Sequence, residues 1–86
     1  MAERQQQIRE ILAEYGRLAA PASELDEDTN LFAVGLDSVA IVNVLMALEE
    51  RFDVELPDEL LSRRSFSSIG TLEDIVSSLQ ANLTSL

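Results

Sequence analysis

Hydrophobic positions recur along the chain with helical spacing. Over residues 4–19, Ile8, Ile11, Leu12, Tyr15, Leu18 and Ala19 share one stripe, while Arg9, Glu10, Glu14 and Arg17 lie elsewhere. This spacing predicts a helix that Pro21 brings to a close. Residues 71–84 repeat the pattern through Leu72, Ile75, Val76, Leu79 and Leu83. Thr71 suits an N-cap there, Glu73 and Asp74 suit a first turn, and Gly70 marks the preceding loop. Between these segments, Ser38 to about Phe52 reads as a third helix. Its helix formers Leu45 to Glu50 outweigh the β-branched Val39, Ile41, Val42 and Val44. A short helical turn is expected from Pro57 through Asp58, Glu59, Leu60 and Leu61, because proline is favoured at a first helical position. No segment alternates as a strand would. The predicted fold is therefore all-α: three longer helices, one short helix, and a long loop over residues 20–37 that Leu25, Leu31 and Phe32 pin to the bundle.

The middle helix does not fit an ordinary surface helix. From Val39 to Leu48 only Asn43 is polar. A surface helix needs one apolar stripe about 100° wide. Here Ile41, Leu45, Leu48 and Phe52 form one stripe, and Val39, Val42 and Met46 form another turned away from it. Either both are core, or one docks a partner or ligand.

Charge changes this picture. The 86 residues carry 16 acids against 6 bases, all arginine, for a net charge of −10. Residues 24–59 hold eleven of the acids and one base, Arg51; the rest of the chain is neutral. The acidic stretch is either a solvated face or a recognition surface for basic partners. The sign argues against nucleic acid, which is bound by neutralising phosphates, and against an anionic membrane surface. Yet 47% of residues are hydrophobic, which is too many for a disordered acidic tail. The N-terminus has no apolar signal core and no stretch is long enough to span a bilayer, so the expectation is a cytoplasmic protein of one domain, residues 1–86.

The chemistry available to the chain is narrow. It has no cysteine and no histidine, which excludes disulfides, thiolate metal sites and serine–histidine–aspartate triads. Asp26, Asp28 and Asn30 match the first ligands of a calcium loop. The required glycine is replaced by Leu31 and the closing glutamate by Asp37, so no metal site is assigned. No spacing singles out a catalytic carboxylate pair, and no catalytic residue is assigned. Ser38 remains. It follows Gly35-Leu36-Asp37 and opens the middle helix, where Ser38 or Asp37 is the N-cap. A helix N-terminus also tolerates a phosphate ester, and Gly35 permits a tight turn and close approach by another protein.

The run from Asp28 through Asn30, Leu31, Phe32, Gly35, Leu36, Asp37 and Ser38 to Val39, followed by Leu45 through Glu49, Glu50, Phe52, Val54, Leu56 and Pro57 to Asp58, resembles the acyl carrier protein family. The resemblance covers essentially the whole chain. It implies a four-helix bundle and a covalent 4′-phosphopantetheine on Ser38, with Asp37 and Gly35 completing the attachment site. It also implies that a phosphopantetheinyl transferase, using coenzyme A and Mg²⁺, installs the arm, and that an acyl or aminoacyl group rides on it as a thioester. The missing cysteine then makes sense, because the working thiol is imported. Carried over position by position, Leu36, Val39, Val42 and Met46 would be apolar partner contacts, and Glu49 and Glu50 acidic ones. Fatty-acid carriers usually have acids where this chain has Ala40 and Asn43, a departure that points away from general fatty-acid synthesis. The segment from Leu56 through Arg63, Arg64 and Phe66 to Ile69 is similar to small discrete carriers paired with amino acid–carrier protein ligases, which makes Arg63 and Arg64 further candidate contacts.

The expected function is a monomeric, non-catalytic aminoacyl carrier that passes its cargo from a ligase to downstream accepting enzymes. A specialised acyl carrier of a lipid or secondary pathway is the alternative. From a different class, an acidic helical adaptor without a prosthetic group would use only Val39, Val42 and Met46.

Overall fold

The computed structural model describes residues 2–60 and 62–84. Three α-helices carry the fold: α1 (Ala2–Tyr15), α2 (Ser38–Phe52) and α3 (Ile69–Thr84). Three short 3-10 turns join them, at Ala22–Glu24, Leu31–Val34 and Asp58–Leu60. Among the described residues there is no strand, in accord with the all-α expectation. The expected short fourth helix is reduced to the 3-10 turn Asp58–Leu60; Leu61, expected to continue it, lies outside the described residues.

Helix ends differ from the pattern-based expectation for identifiable reasons. α1 stops at Tyr15, short of residue 19. A proline ring clashes with the carbonyl four residues back, here Arg17, and Gly16 is a poor helix former. The Gly16 N–H closes the last turn on the Leu12 carbonyl at 2.8 Å, and Arg17 takes a left-handed φ of 55°. Leu18 and Ala19 therefore belong to the loop. α3 starts two residues before Thr71. Ser68 is its N-cap, with Oγ accepting from the Thr71 N–H at 3.1 Å, so Thr71 is the third helical residue and not the cap. Gly70 lies inside the helix: its N–H donates to the Glu27 carbonyl at 2.9 Å, and a Cβ at this position would sit 3.3 Å from that oxygen. The close approach locks the long loop onto α3.

The core is continuous. Ile8, Ile11 and Leu12 of α1 meet Ala40, Val44, Leu48 and Phe52 of α2 and Ile69, Leu72 and Val76 of α3. Leu31, Leu36, Val54, Leu56 and Phe66 fill in from the connecting segments. The middle helix thus buries a stripe centred on Ala40 and Val44, turned slightly from the one its sequence suggested. Ile41 and Leu45 flank it half-buried. Tyr15, counted with the core from its spacing, is exposed. The Leu83 side chain lies outside the described ones.

The long loop is held by polar bonds as well as by Leu25, Leu31 and Phe32. The Arg9 guanidinium donates to the Ala22 carbonyl at 2.8 Å and also to the Leu25 carbonyl. The Leu31 N–H donates to the Ser67 carbonyl at 2.8 Å, and the Ala19 N–H to the Val34 carbonyl at 2.7 Å. Gly35 ends the Leu31–Val34 turn with φ 114° and ψ −4°, a region almost reserved for glycine.

Two outcomes test this packing. Leu48→Ala empties a fully buried site and is expected to cost about 2–5 kcal/mol, whereas Met46→Ala on the exposed face of the same helix stays within about 0.5 kcal/mol of the parent. Gly35→Ala forces a side chain into a glycine conformation and is expected to cost about 1–3 kcal/mol. Urea unfolding midpoints measure all three, and equal midpoints for Leu48→Ala and Met46→Ala would contradict the assigned helix faces.

Candidate functional site

The site is built where the long loop turns into α2. The Leu31–Val34 turn is capped by Asn30, whose side chain accepts from the Phe32 N–H at 3.0 Å. Gly35 then reverses the chain, and the Leu36 N–H closes onto the Leu31 carbonyl at 3.0 Å. This delivers Asp37 in an extended conformation (φ −132°, ψ 179°), as an N-cap requires. Its Oδ1 accepts from the Ala40 N–H at 2.9 Å, and its carbonyl accepts from the Ile41 N–H at 2.9 Å. The capping choice left open by the sequence is settled in favour of Asp37.

Ser38 is consequently the first residue of α2, not its cap. Its side chain is exposed and makes no hydrogen bond among the described residues. The N–H groups of Ser38 and Val39 are likewise without protein partners there. A helix leaves its first N–H groups unpaired, and such donors together with the helix dipole favour an anion. Covalent modification at the hydroxyl would displace no packed side chain. The residues present therefore fit a phosphate ester on this oxygen.

The side chains expected beside Ser38 divide into two groups. Val39, Val42 and Met46 form an outward ridge along α2, with 62%, 53% and 61% of their surface exposed. The second apolar stripe is thus surface and not core. Glu50 continues the ridge, exposed beside a cleft between α1 and α2. One expected contact, Leu36, is corrected, and a second, Glu49, has a structural role besides. Leu36 is buried in the core, because its N–H bond to Leu31 turns the side chain inward, so it packs the bundle rather than presenting itself to a partner. Glu49 is half-buried, and its Oε2 accepts from the Leu56 N–H at 2.9 Å, so its carboxylate fastens the chain leaving α2.

Arg63 and Arg64 are both exposed, yet their settings differ. The Arg63 guanidinium lies over the Phe32 ring, 4.1 Å from its centroid. It lines a cleft shared with Ser38, Ile41, Val42, Leu45 and Ser62. Arg64 does not line that cleft. The Arg63–Phe32 stack joins residues thirty-one positions apart (32 to 63), and neither periodicity nor a local motif could have revealed it. Among the described residues no group of histidine, cysteine or carboxylate side chains is arranged to hold a metal. Among the described residues no helix is long and apolar enough to cross a membrane.

Comparison with known proteins places this geometry in a family. The chain is 48% identical over 69 residues to the aminoacyl carrier protein of Agrobacterium fabrum, an overlap of 80% of this chain and 83% of that one. It is 35% identical over 78 residues to the acyl carrier protein of Clostridium acetobutylicum, covering 90% and 92% of the two chains. Its structure superposes with a TM-score of 0.81 on a carrier protein from Agrobacterium tumefaciens, crystallised with an engineered glycine:[carrier protein] ligase of Bradyrhizobium japonicum and AMP. Those two chains are 45% identical, and the match covers 85% of this one and 97% of the other. The family model described as a phosphopantetheine attachment site matches residues 6–79, and with that span and these relatives the chain belongs to the phosphopantetheine-binding carrier protein family.

Proposed function

We propose that the chain is an aminoacyl carrier, which holds an amino acid as a thioester on a 4′-phosphopantetheine arm attached to the Ser38 oxygen. The observation that carries this reading is the exposed Ser38 hydroxyl, left without a structural task because Asp37 caps the helix. The aminoacyl rather than acyl assignment is supported by the 48% identity to an aminoacyl carrier protein, and by the likeness to a carrier crystallised with a glycine ligase.

Each residue near the serine has a physical part to play. Gly35 takes the positive φ that turns the chain into α2 and passes close to the backbone of residues 17–19, and Asp37 stiffens the first turn through its bond to Ala40. The unpaired N–H groups of Ser38 and Val39 face an anion with favourable charge, so a phosphodiester at Ser38 stabilises the helix start instead of fraying it. The arm, when bound, supplies the thiol that a chain without cysteine does not have. A phosphopantetheinyl transferase, with Mg²⁺ in its own complex, would install it. Holding the cargo on a flexible tether keeps the bundle itself out of the chemistry and makes recognition a matter of surface.

That surface is the ridge of Val39, Val42 and Met46 with Glu50 beyond it. Exposed apolar side chains along an acidic helix match a partner that offers an apolar patch rimmed by basic residues. An amino acid–carrier protein ligase is the partner this reading assigns. The chain's own contribution ends with presentation of the arm. An acidic adaptor without a prosthetic group would use the same ridge, but would have no need of an exposed serine at its end.

Incubation with coenzyme A and a broad-specificity transferase should raise the intact mass by one phosphopantetheine, with the increment lost completely in Ser38→Ala and the fold unchanged. A parent protein left unmodified, under conditions that fully convert a known carrier, would overturn the carrier reading. Holo protein offered to a panel of ligases should gain the mass of an amino acid, not of an acyl chain. Met46→Glu places a charge on the exposed ridge without touching the core. It should raise the ligase KM about tenfold, as expected when an interface contact worth 1–2 kcal/mol is lost.

A further inference from the structure

The cleft beside Ser38 differs from the remaining surface of this acidic chain. It has a volume of about 290 Å³, just below the roughly 300–1,000 Å³ that small-ligand sites span. One wall is apolar, made by Ile41 and Leu45, both half-buried, and by Val42, more than half exposed. The opposite side comes from the segment before α3 and brings Ser62 and Arg63. Arg63 is the charged side chain that lines it. Among six basic residues in a chain of net charge −10, a guanidinium that lies over the Phe32 ring and lines an apolar cleft is a specific placement. The ring limits the freedom of the long side chain, so less entropy is lost when the guanidinium pairs with an anion.

Resting on the reading of Ser38 as the attachment point, we propose that Arg63 pairs with the phosphodiester carried on Ser38 and lays the apolar first part of the arm against Ile41, Val42 and Leu45. The occupant is set by tethering and by charge. A phosphodiester on Ser38 adds a negative charge next to Asp37, in the acidic part of the chain, and Arg63 is the cation that shares a cleft with that serine. The arm follows its phosphate with a carbon bearing two methyl groups, and only later with amides and the thiol. The cleft offers both kinds of partner beside the serine: the Arg63 cation, and the branched side chains Ile41, Val42 and Leu45 that follow Ser38 along α2. From Ser38 to Leu45 the helix rises about 10 Å, at 1.5 Å per residue. The docked arm leaves its thiol end and cargo outside, where a ligase can reach them. Arg63 thus acts as a positioning residue for the arm.

The test uses holo protein whose arm carries ¹³C in its two methyl groups, with loading verified by intact mass. Isotope-filtered spectra should show cross-peaks from these methyls to the side chains of Ile41, Val42 and Leu45. In Arg63→Gln the cross-peaks should fall several-fold and the ³¹P resonance of the phosphodiester should move, while the backbone amide spectrum of α1 stays in place. Phe32→Leu, which keeps the charge but removes the platform, should give an intermediate loss. Raising the salt to about 1 M shortens the Debye length from about 10 Å at 0.1 M to about 3 Å and should weaken the parent cross-peaks. A fully loaded parent without cross-peaks overturns the proposal, as do cross-peaks of equal strength in Arg63→Gln. An Arg63→Gln variant that keeps its cross-peaks but needs more ligase for loading would assign Arg63 to the partner instead. Failure of Ser38 to accept the arm is seen earlier, in the mass, and identifies the underlying reading as the one at fault.

Discussion

The bond from the Ala40 N–H to the Asp37 carboxylate, 2.9 Å long, decides what the rest of the site can be. A helix start must find acceptors for its first N–H groups, and the residue that supplies one gives up its side chain. Because Asp37 takes that task, the serine one position on keeps an unoccupied hydroxyl at the surface. The bond is reached only because Gly35, at φ 114°, turns the chain out of the preceding 3-10 turn and leaves Asp37 extended. A cap of this kind contributes about 1 kcal/mol. Its larger effect is geometric, since it fixes where the serine oxygen sits relative to the axis of α2.

The same helix then serves two masters with two faces. Ala40, Val44, Leu48 and Phe52 are buried in the shared core, each large member contributing about 1.5–3 kcal/mol, and Val39, Val42 and Met46 point to solvent. Polar links between the helices matter far less. The one ion pair among the described residues, Arg51 to Glu10 at 3.1 Å, joins side chains that are 40% and 53% exposed, and such pairs contribute about 0–1 kcal/mol. The bundle is thus held by its apolar interior. The acidic surface has little part in holding the bundle, and a net charge of −10 opposes self-association through the exposed ridge.

The long loop between α1 and α2 carries as much of the design as the helices do. Arg9 holds two of its carbonyls, Gly70 receives Glu27 at close range, and Leu31 is bonded to Ser67. These links bring the Leu31–Val34 turn against the segment before α3, and so place Phe32 under Arg63. Glu49 is spent in the same way, on the Leu56 N–H where the chain leaves α2. Acids that look alike in a row of letters therefore differ in setting: Glu50 is exposed, while Glu49 is half-buried and bonds the chain at a helix end.

The sequence by itself determined a good part of this protein. Helical periodicity located α1 and α3, and the helix formers Leu45 to Glu50 placed α2 at Ser38 to about Phe52, which matches its observed span. Composition excluded thiol and imidazole chemistry, charge argued against nucleic acid, and the motif around Ser38 pointed to the family. Tertiary structure decided what local spacing does not encode. Proline acting at a distance of four residues shortened α1, and Ser68 outcompeted Thr71 as the cap of α3 because its oxygen meets the Thr71 N–H. An all-apolar helix face has no inside or outside until its neighbours are placed, so only packing separated Val44 from Val42, turned Leu36 inward, and buried Phe66 in a segment without periodicity. The Arg63–Phe32 stack belongs to the same class: contacts between distant parts of a chain depend on how the whole bundle closes, and no local pattern carries them.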